Sequence, residues 1–225
     1  MLFTDRFEAG RRLAEKLLFL ESQNPIVLAL PRGGVPVGYE IAEALNAPLD
    51  VLVVRKIGAP GHREFGVGAI APENIKILGG KVVDVLGISP KMIKQVETEE
   101  RQELKRRLRV YRGTGVYPDF SDKTVILVDD GLATGVTASA AIKFVLKHDP
   151  KKLVVAIPVC ASDPMPSIQT LLRPERDEVV CLFSVYDLGA VGWWYRSFAP
   201  VTDEEVIFLL KRAKKLTGRR ETTRS

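Results

Sequence analysis

The run Val125-Ile126-Leu127-Val128 passes directly into Asp129-Asp130 and then into Gly131-Leu132-Ala133-Thr134-Gly135-Val136-Thr137. Four apolar residues without alternation describe a strand covered on both faces, as in a parallel sheet with helices on either side. Ligands in such sheets bind at the C-terminal ends of the strands, and here that end carries two carboxylates. Gly131 and Gly135 permit backbone angles closed to other residues, while Thr134 and Thr137 add hydroxyls. A helix over about 137–147 would aim its N-terminal N–H groups and dipole at the same spot. The loop is therefore expected to take a phosphate monoester. Carboxylates beside a phosphate need hydroxyls or a hard cation such as Mg²⁺ to hold, so a ligand with both a phosphate and a diol, a ribose 5-phosphate, fits.

Val125 to Thr137 closely resembles the phosphoribosyl-pyrophosphate (PRPP) signature of the type I phosphoribosyltransferases: four hydrophobics, two acids, then a small loop rich in Gly and Thr. The competing nucleotide P-loop, G-x-x-x-x-G-K-[ST], requires a Lys that is missing here, and two acids precede the glycines. A structurally inert strand–turn–helix is the other alternative.

Composition admits such a domain. At 225 residues, 46% hydrophobic and 27% charged, the chain is long enough to bury a substantial core. No run approaches the roughly eighteen apolar residues of a membrane span, and Met1-Leu2-Phe3-Thr4-Asp5-Arg6 lacks the basic start and apolar core of a signal peptide. The expected location is cytoplasmic, with no membrane partner. Cys160 and Cys181 lie in strand-like apolar runs and read as reduced core thiols rather than a disulfide framework or zinc site. Net charge is +5, but residues 211–225 hold seven Lys or Arg against one Glu, leaving 26 basic against 27 acidic elsewhere. The basic tail therefore reads as a solvated end, and nucleic acid is not expected as a partner.

Taken in order, Phe7, Leu13, Leu17 and Leu20 recur at helical spacing, so 4–20 reads as an amphipathic helix with a packing role only. Ile26 to Leu30 is a buried strand followed by Pro31-Arg32-Gly33-Gly34, where paired glycines let a backbone approach an anion and Arg32 adds fixed charge. An ordinary Gly-rich turn ahead of a helix over 35–45 is the bland alternative. Beside the later signature, this stretch resembles the family's pyrophosphate loop. Leu49 to Val54 reads as a second strand ending in Arg55-Lys56, two cations whose repulsion an anion would relieve, unless both are merely solvated.

Ile57 to Ile70 is dense in Gly and too irregular for an element, which marks a functional or mobile loop. Its Gly66 to Ala71 imitates a dinucleotide fingerprint but lacks the strand–helix context. Residues 75–85 suggest a hairpin turning at Gly79-Gly80, and Ser89-Pro90 opens a long charged helix to about Arg112 with many i,i+4 pairs. Further strands are expected at 152–160 and 178–183, with a short helix through Leu172 between them. In the aromatic stretch from Tyr186 to Phe198, Trp193, Trp194 and Tyr195 are candidates for stacking on a planar base, against packing on the long helix or on a dimer partner. Thr202-Asp203-Glu204-Glu205 is a capping box for a closing helix with Val206, Leu209 and Leu210 inward.

The resemblance implies one α/β domain over 1–225: a central, mostly parallel sheet flanked by helices, with a small hood. Its core would span about 24–185, with a hairpin and charged helix at 75–112, an aromatic segment and helix at 186–216, and a basic tail at 217–225. The implied reaction is Mg²⁺-dependent transfer of the phosphoribosyl group between PRPP and an acceptor, most simply a nucleobase in nucleotide salvage, with release of pyrophosphate. Asp129, Asp130, Arg32 and Lys56 would be catalytic, with Mg²⁺ carried by the substrate near the two acids. Gly131, Leu132, Ala133, Thr134, Gly135, Val136 and Thr137 would bind the 5-phosphate, and Arg32, Gly33, Gly34, Arg55 and Lys56 the pyrophosphate. His62, Arg63 and Glu64 would sit on a flexible loop closing over the site. The family also implies a homodimer. Two other readings stay open: a non-catalytic regulator of this fold that senses PRPP, and a phosphate-ester hydrolase using Asp129 as a metal ligand, for which no ligand cluster appears.

Overall fold

The computed structural model describes residues 2–59, 61–79, 83 and 85–221. Strands β1 (Pro25–Ala29), β2 (Leu49–Val51), β6 (Thr124–Val128), β7 (Lys152–Ala161) and β8 (Glu178–Val185) form one sheet in the order β2-β1-β6-β7-β8. Every pairing in it is parallel. A second, antiparallel sheet joins β3 (Arg55–Ala59), β4 (His62–Ile70) and β5 (Lys76–Leu78).

All ten residues of β1 and β6 are buried. Alternate side chains enter different cores: Val27, Ala29, Ile126 and Val128 pack with Leu13 of α1 (Arg6–Glu15), Ile41 of α2 (Gly34–Ala44) and Leu209 of α6 (Asp203–Glu221). Ile26, Leu28, Val125 and Leu127 pack with Ile142 and Phe144 of α4 (Val136–Lys147). Both faces are covered, which is why these strands show no polar alternation. The long charged helix is α3 (Pro90–Arg112), capped by the Ser89 hydroxyl accepting from Met92 N–H and closed by Gly113 in the left-handed conformation. The short helix before β8 is α5 (Met165–Gln169). At α6 the Thr202 hydroxyl accepts from Glu205 N–H at 3.2 Å, as the capping pattern predicts.

Four sequence readings change. Residues 57–59 and 62–70 belong to the β3–β4 ladder rather than to a loop, with register shifts around Gly58. Its glycines break the alternation that marks a strand, and Gly68 serves close approach: a Cβ there would meet Ile77 O at 2.5 Å. The expected 75–85 hairpin is replaced by pairing of β5 with β4; of its second arm, Val83 and Val85 are helical and the rest lies outside the described residues. The second strand stops at Val51, so Arg55 and Lys56 begin β3 in the other sheet. Cys160 and Cys181, on the adjacent strands β7 and β8, form a disulfide instead of two thiols. Among the described residues no helix is long and apolar enough to cross a membrane.

Candidate functional site

From the adjacent strands β1 and β6 the chain departs to opposite sides of the sheet, toward β2 in one direction and β7 in the other. A crevice opens at such a switch point, outside the carboxyl ends of the strands. Ala29 and Val128 are in register there, and Leu30 N–H donates to Val128 O at 2.8 Å. The Arg32–Gly34 loop and the Asp129–Gly135 loop therefore emerge side by side.

Their contact explains Gly33 and Gly34. A Cβ on Gly33 would collide with the Asp130 carboxylate, and one on Gly34 would meet Val128 O at 2.7 Å. These glycines let the first loop close on the acids.

A cleft of about 190 Å³ lies beyond, lined by Lys56, Asp129, the loop from Gly131 to Gly135, Thr137, Ala138, Ile157 and Val191. Gly135 takes φ 71° as N-cap of α4, and no side chain caps this helix. The amides of its first turn are thus open donors aimed, with the helix dipole, at the cleft. Leu132 differs from its neighbours in the loop: it is buried, donates N–H to Val159 O at 3.0 Å and accepts from Ala161 N–H at 2.8 Å. It anchors the loop to β7, so its amide is already used. Ala133 and Thr134 are exposed at the rim.

The two acids have different surroundings. Asp129 lines the cleft half-buried, one carboxylate oxygen accepting from Asp130 N–H at 2.9 Å. Burial first, and the neighbouring Asp130 charge second, push its carboxyl well above the usual range. Asp130 is held from two sides: Arg6 Nε donates to Oδ2 at 2.7 Å, and the Tyr195 hydroxyl donates to the backbone carbonyl at 2.6 Å. Burial and the Asp130 charge raise the Tyr195 phenol, keeping it a donor.

The expected cations part company. Lys56, reaching in from β3, lines the cleft. Arg55 pairs with Glu100 of α3 at 2.7 Å, so its charge is met by a carboxylate of the protein. Arg32 faces Asp203 at the start of α6 at 3.5 Å, and Asp203 also accepts from Tyr111 at 2.5 Å and Arg106 at 3.1 Å. His62, Arg63 and Glu64 belong to β4, and their side chains lie outside what is described.

The aromatic segment contributes Val191, and none of its rings, to the cleft wall. Trp193 is 72% exposed, Trp194 donates Nε1–H to Leu188 O at 2.9 Å, and Tyr195 is 3% exposed. The segment packs on the start of the chain rather than on α3: Phe3 bridges to Tyr195, and Leu2 and Phe3 N–H groups donate to Trp194 O. This brings Arg6 to Asp130, a link the amphipathic pattern of α1 does not disclose.

Among the described residues no group of three or more His, Cys, Asp or Glu is placed to hold a metal ion. Two adjacent carboxylates fit Mg²⁺ nonetheless, because that ion is commonly held by one or two carboxylates together with substrate phosphates and water.

Over 213 residues the chain is 42% identical to proteins from two Mycobacterium tuberculosis strains, both provisionally named phosphoribosyl transferases. The alignment covers 94% of this chain and 47% of theirs, so the chain spans about half the length of the curated relatives it matches. A crystal structure of a Thermus thermophilus protein is similar at 37% identity and a TM-score of 0.74, covering 94% of this chain and 99% of that one. The phosphoribosyl transferase domain matches residues 3–169, on a parallel sheet whose switch-point cleft carries Asp129 and an uncapped helix N-terminus; the chain belongs to the type I phosphoribosyltransferase family.

Proposed function

We propose that this chain transfers the 5-phosphoribosyl group between PRPP and an acceptor, most simply a nucleobase, with release of pyrophosphate. One observation carries the reading: Asp129, Lys56 and the open N-terminus of α4 line a single cleft at the switch point. Such a cleft offers separate places for a phosphate, a diol and a second anion.

In this reading the first-turn amides of α4, with Thr134 and Thr137, hold the 5-phosphate. Asp129, with Asp130 beside it, accepts hydrogen bonds from the ribose hydroxyls and balances positive charge developing on the ring. The acceptor's lone pair forms a bond to the anomeric carbon as the bond from that carbon to the pyrophosphate oxygen breaks. The electron pair leaves with the pyrophosphate, which takes up the proton that the acceptor gives up. Lys56, and Arg32 once it turns from Asp203, stabilise the leaving anion, a preorganised electrostatic contribution. When bound, Mg²⁺ would neutralise pyrophosphate charge near the two acids.

The test is release of pyrophosphate from PRPP and Mg²⁺ across a panel of purine and pyrimidine bases. Release with one base names the acceptor. Bound PRPP with silence across the panel would shift the assignment to a PRPP sensor.

A further inference from the structure

Arg6 is an unusual residue for the first turn of an amphipathic helix: it is only 9% exposed and turned inward. Its Nε donates to Asp130 at 2.7 Å, its Nη1 donates to Ala199 O at 2.9 Å, and its guanidinium lies 3.7 Å from the Phe198 ring centroid. A planar fork with one edge on a carboxylate, another on a carbonyl and its face on a ring has one available orientation. The Asp130 backbone is fixed from the other side by Tyr195. Side chain and main chain of this acid are thus both held by elements outside the sheet.

This placement answers a problem posed by the site. Two adjacent carboxylates beside a ligand with several phosphate charges repel one another and the ligand. The Arg6 cation offsets one of them from behind.

We propose that Arg6 is a positioning residue of the phosphoribosyl site: acting through Asp130, it fixes that carboxylate beside Asp129 and cancels its repulsion toward a phosphorylated ligand. The inference rests on the proposed reading that PRPP is the ligand. Arg6 is not among the residues that line the cleft, so it acts at one remove, as residues supporting a binding group do.

The experiment is a double-mutant cycle on PRPP affinity, measured by calorimetry with Mg²⁺ present, for wild type, Arg6→Lys, Asp130→Asn and the double variant. Lys keeps the charge and the apolar stem but loses the fork, which avoids the folding risk of Arg6→Ala. Arg6→Lys should weaken PRPP binding about 10- to 100-fold in the wild-type background. With Asp130→Asn present, the same change should cost less than about threefold, because the partner it acts through is gone. Phe198→Leu, which removes the ring under Arg6 but leaves the ion pair, should change affinity by less than about threefold. An equal loss from Arg6→Lys in both backgrounds, or a loss from Phe198→Leu matching that from Arg6→Lys, would reduce Arg6 to scaffolding and overturn the proposal. A wild type that binds no PRPP would overturn the functional reading and this one with it, whereas PRPP binding with an additive cycle would overturn this one alone.

Discussion

Arg6 and Asp130, 124 residues apart in sequence, meet at 2.7 Å next to the cleft-lining Asp129. The pair ties the first helix to the acidic end of β6 and gives the two adjacent carboxylates different tasks. Asp130 is anchored, while Asp129 lines the cleft and bears the electrostatic strain.

Asp129→Asn should trade activity for stability. The folded-state carboxyl lies above its unfolded value, so its contribution to stability is full below the ordinary carboxylate range and is lost as pH rises through the raised folded value. At neutral pH the amide removes that liability and can still accept from Asp130 N–H. Melting temperature should rise by about 2–4 °C per ~1 kcal/mol recovered, while turnover falls by about 10²-fold or more. Thermal melts at acid and neutral pH check this, since the gain should vanish at acid pH.

Gly33→Ala places a methyl on the Asp130 carboxylate. Overpacking of this kind costs about 1–3 kcal/mol, and here it also displaces an acid of the site. Denaturant unfolding should show the loss, and PRPP affinity should drop with it.

Lys56→Gln should behave differently, because Lys56 is exposed on β3 and lines the cleft. Stability should stay within about 0.5 kcal/mol, while kcat/KM falls by about 10²-fold through loss of leaving-group stabilisation. Steady-state kinetics beside a melt separates the two effects.

Asp203→Asn tests the junction of Arg32, Arg106 and Tyr111. The Tyr111 hydrogen bond, with Arg106 and Arg32 nearby, holds the Asp203 carboxyl below its usual range. Its stabilisation is therefore present above the unfolded value and lost as pH falls through the lowered folded value. The variant should be less stable by about 1 kcal/mol at neutral pH, and the two unfolding curves should converge in acid.

The parallel core was legible because burial on both faces leaves an uninterrupted apolar run, as in Val125 to Val128, and because Ser89-Pro90 and Thr202 are cap residues whose chemistry is local. What escaped depends on partners distant in sequence. Gly58, Gly66 and Gly68 erase the strand pattern of β3 and β4; a Cβ on Gly66 would meet the Lys56 side chain of β3, and one on Gly68 the Ile77 carbonyl of β5. Arg55 looks like an anion ligand until Glu100 of α3 arrives beside it. The helical pattern around Arg6 gives that stretch a packing role only, and its link to Asp130 comes with the bridge from Phe3 to Tyr195. The disulfide needs the β7–β8 pairing, which sequence spacing does not specify.

The most direct measurement follows PRPP by phosphorus NMR with Mg²⁺ and a panel of bases, for wild type and Asp129→Asn side by side. Pyrophosphate should appear with at least one base in the wild type and be nearly absent in the variant. Bound but unreacted PRPP with every base would rule out transfer, and undiminished release by Asp129→Asn would remove Asp129 from the chemistry.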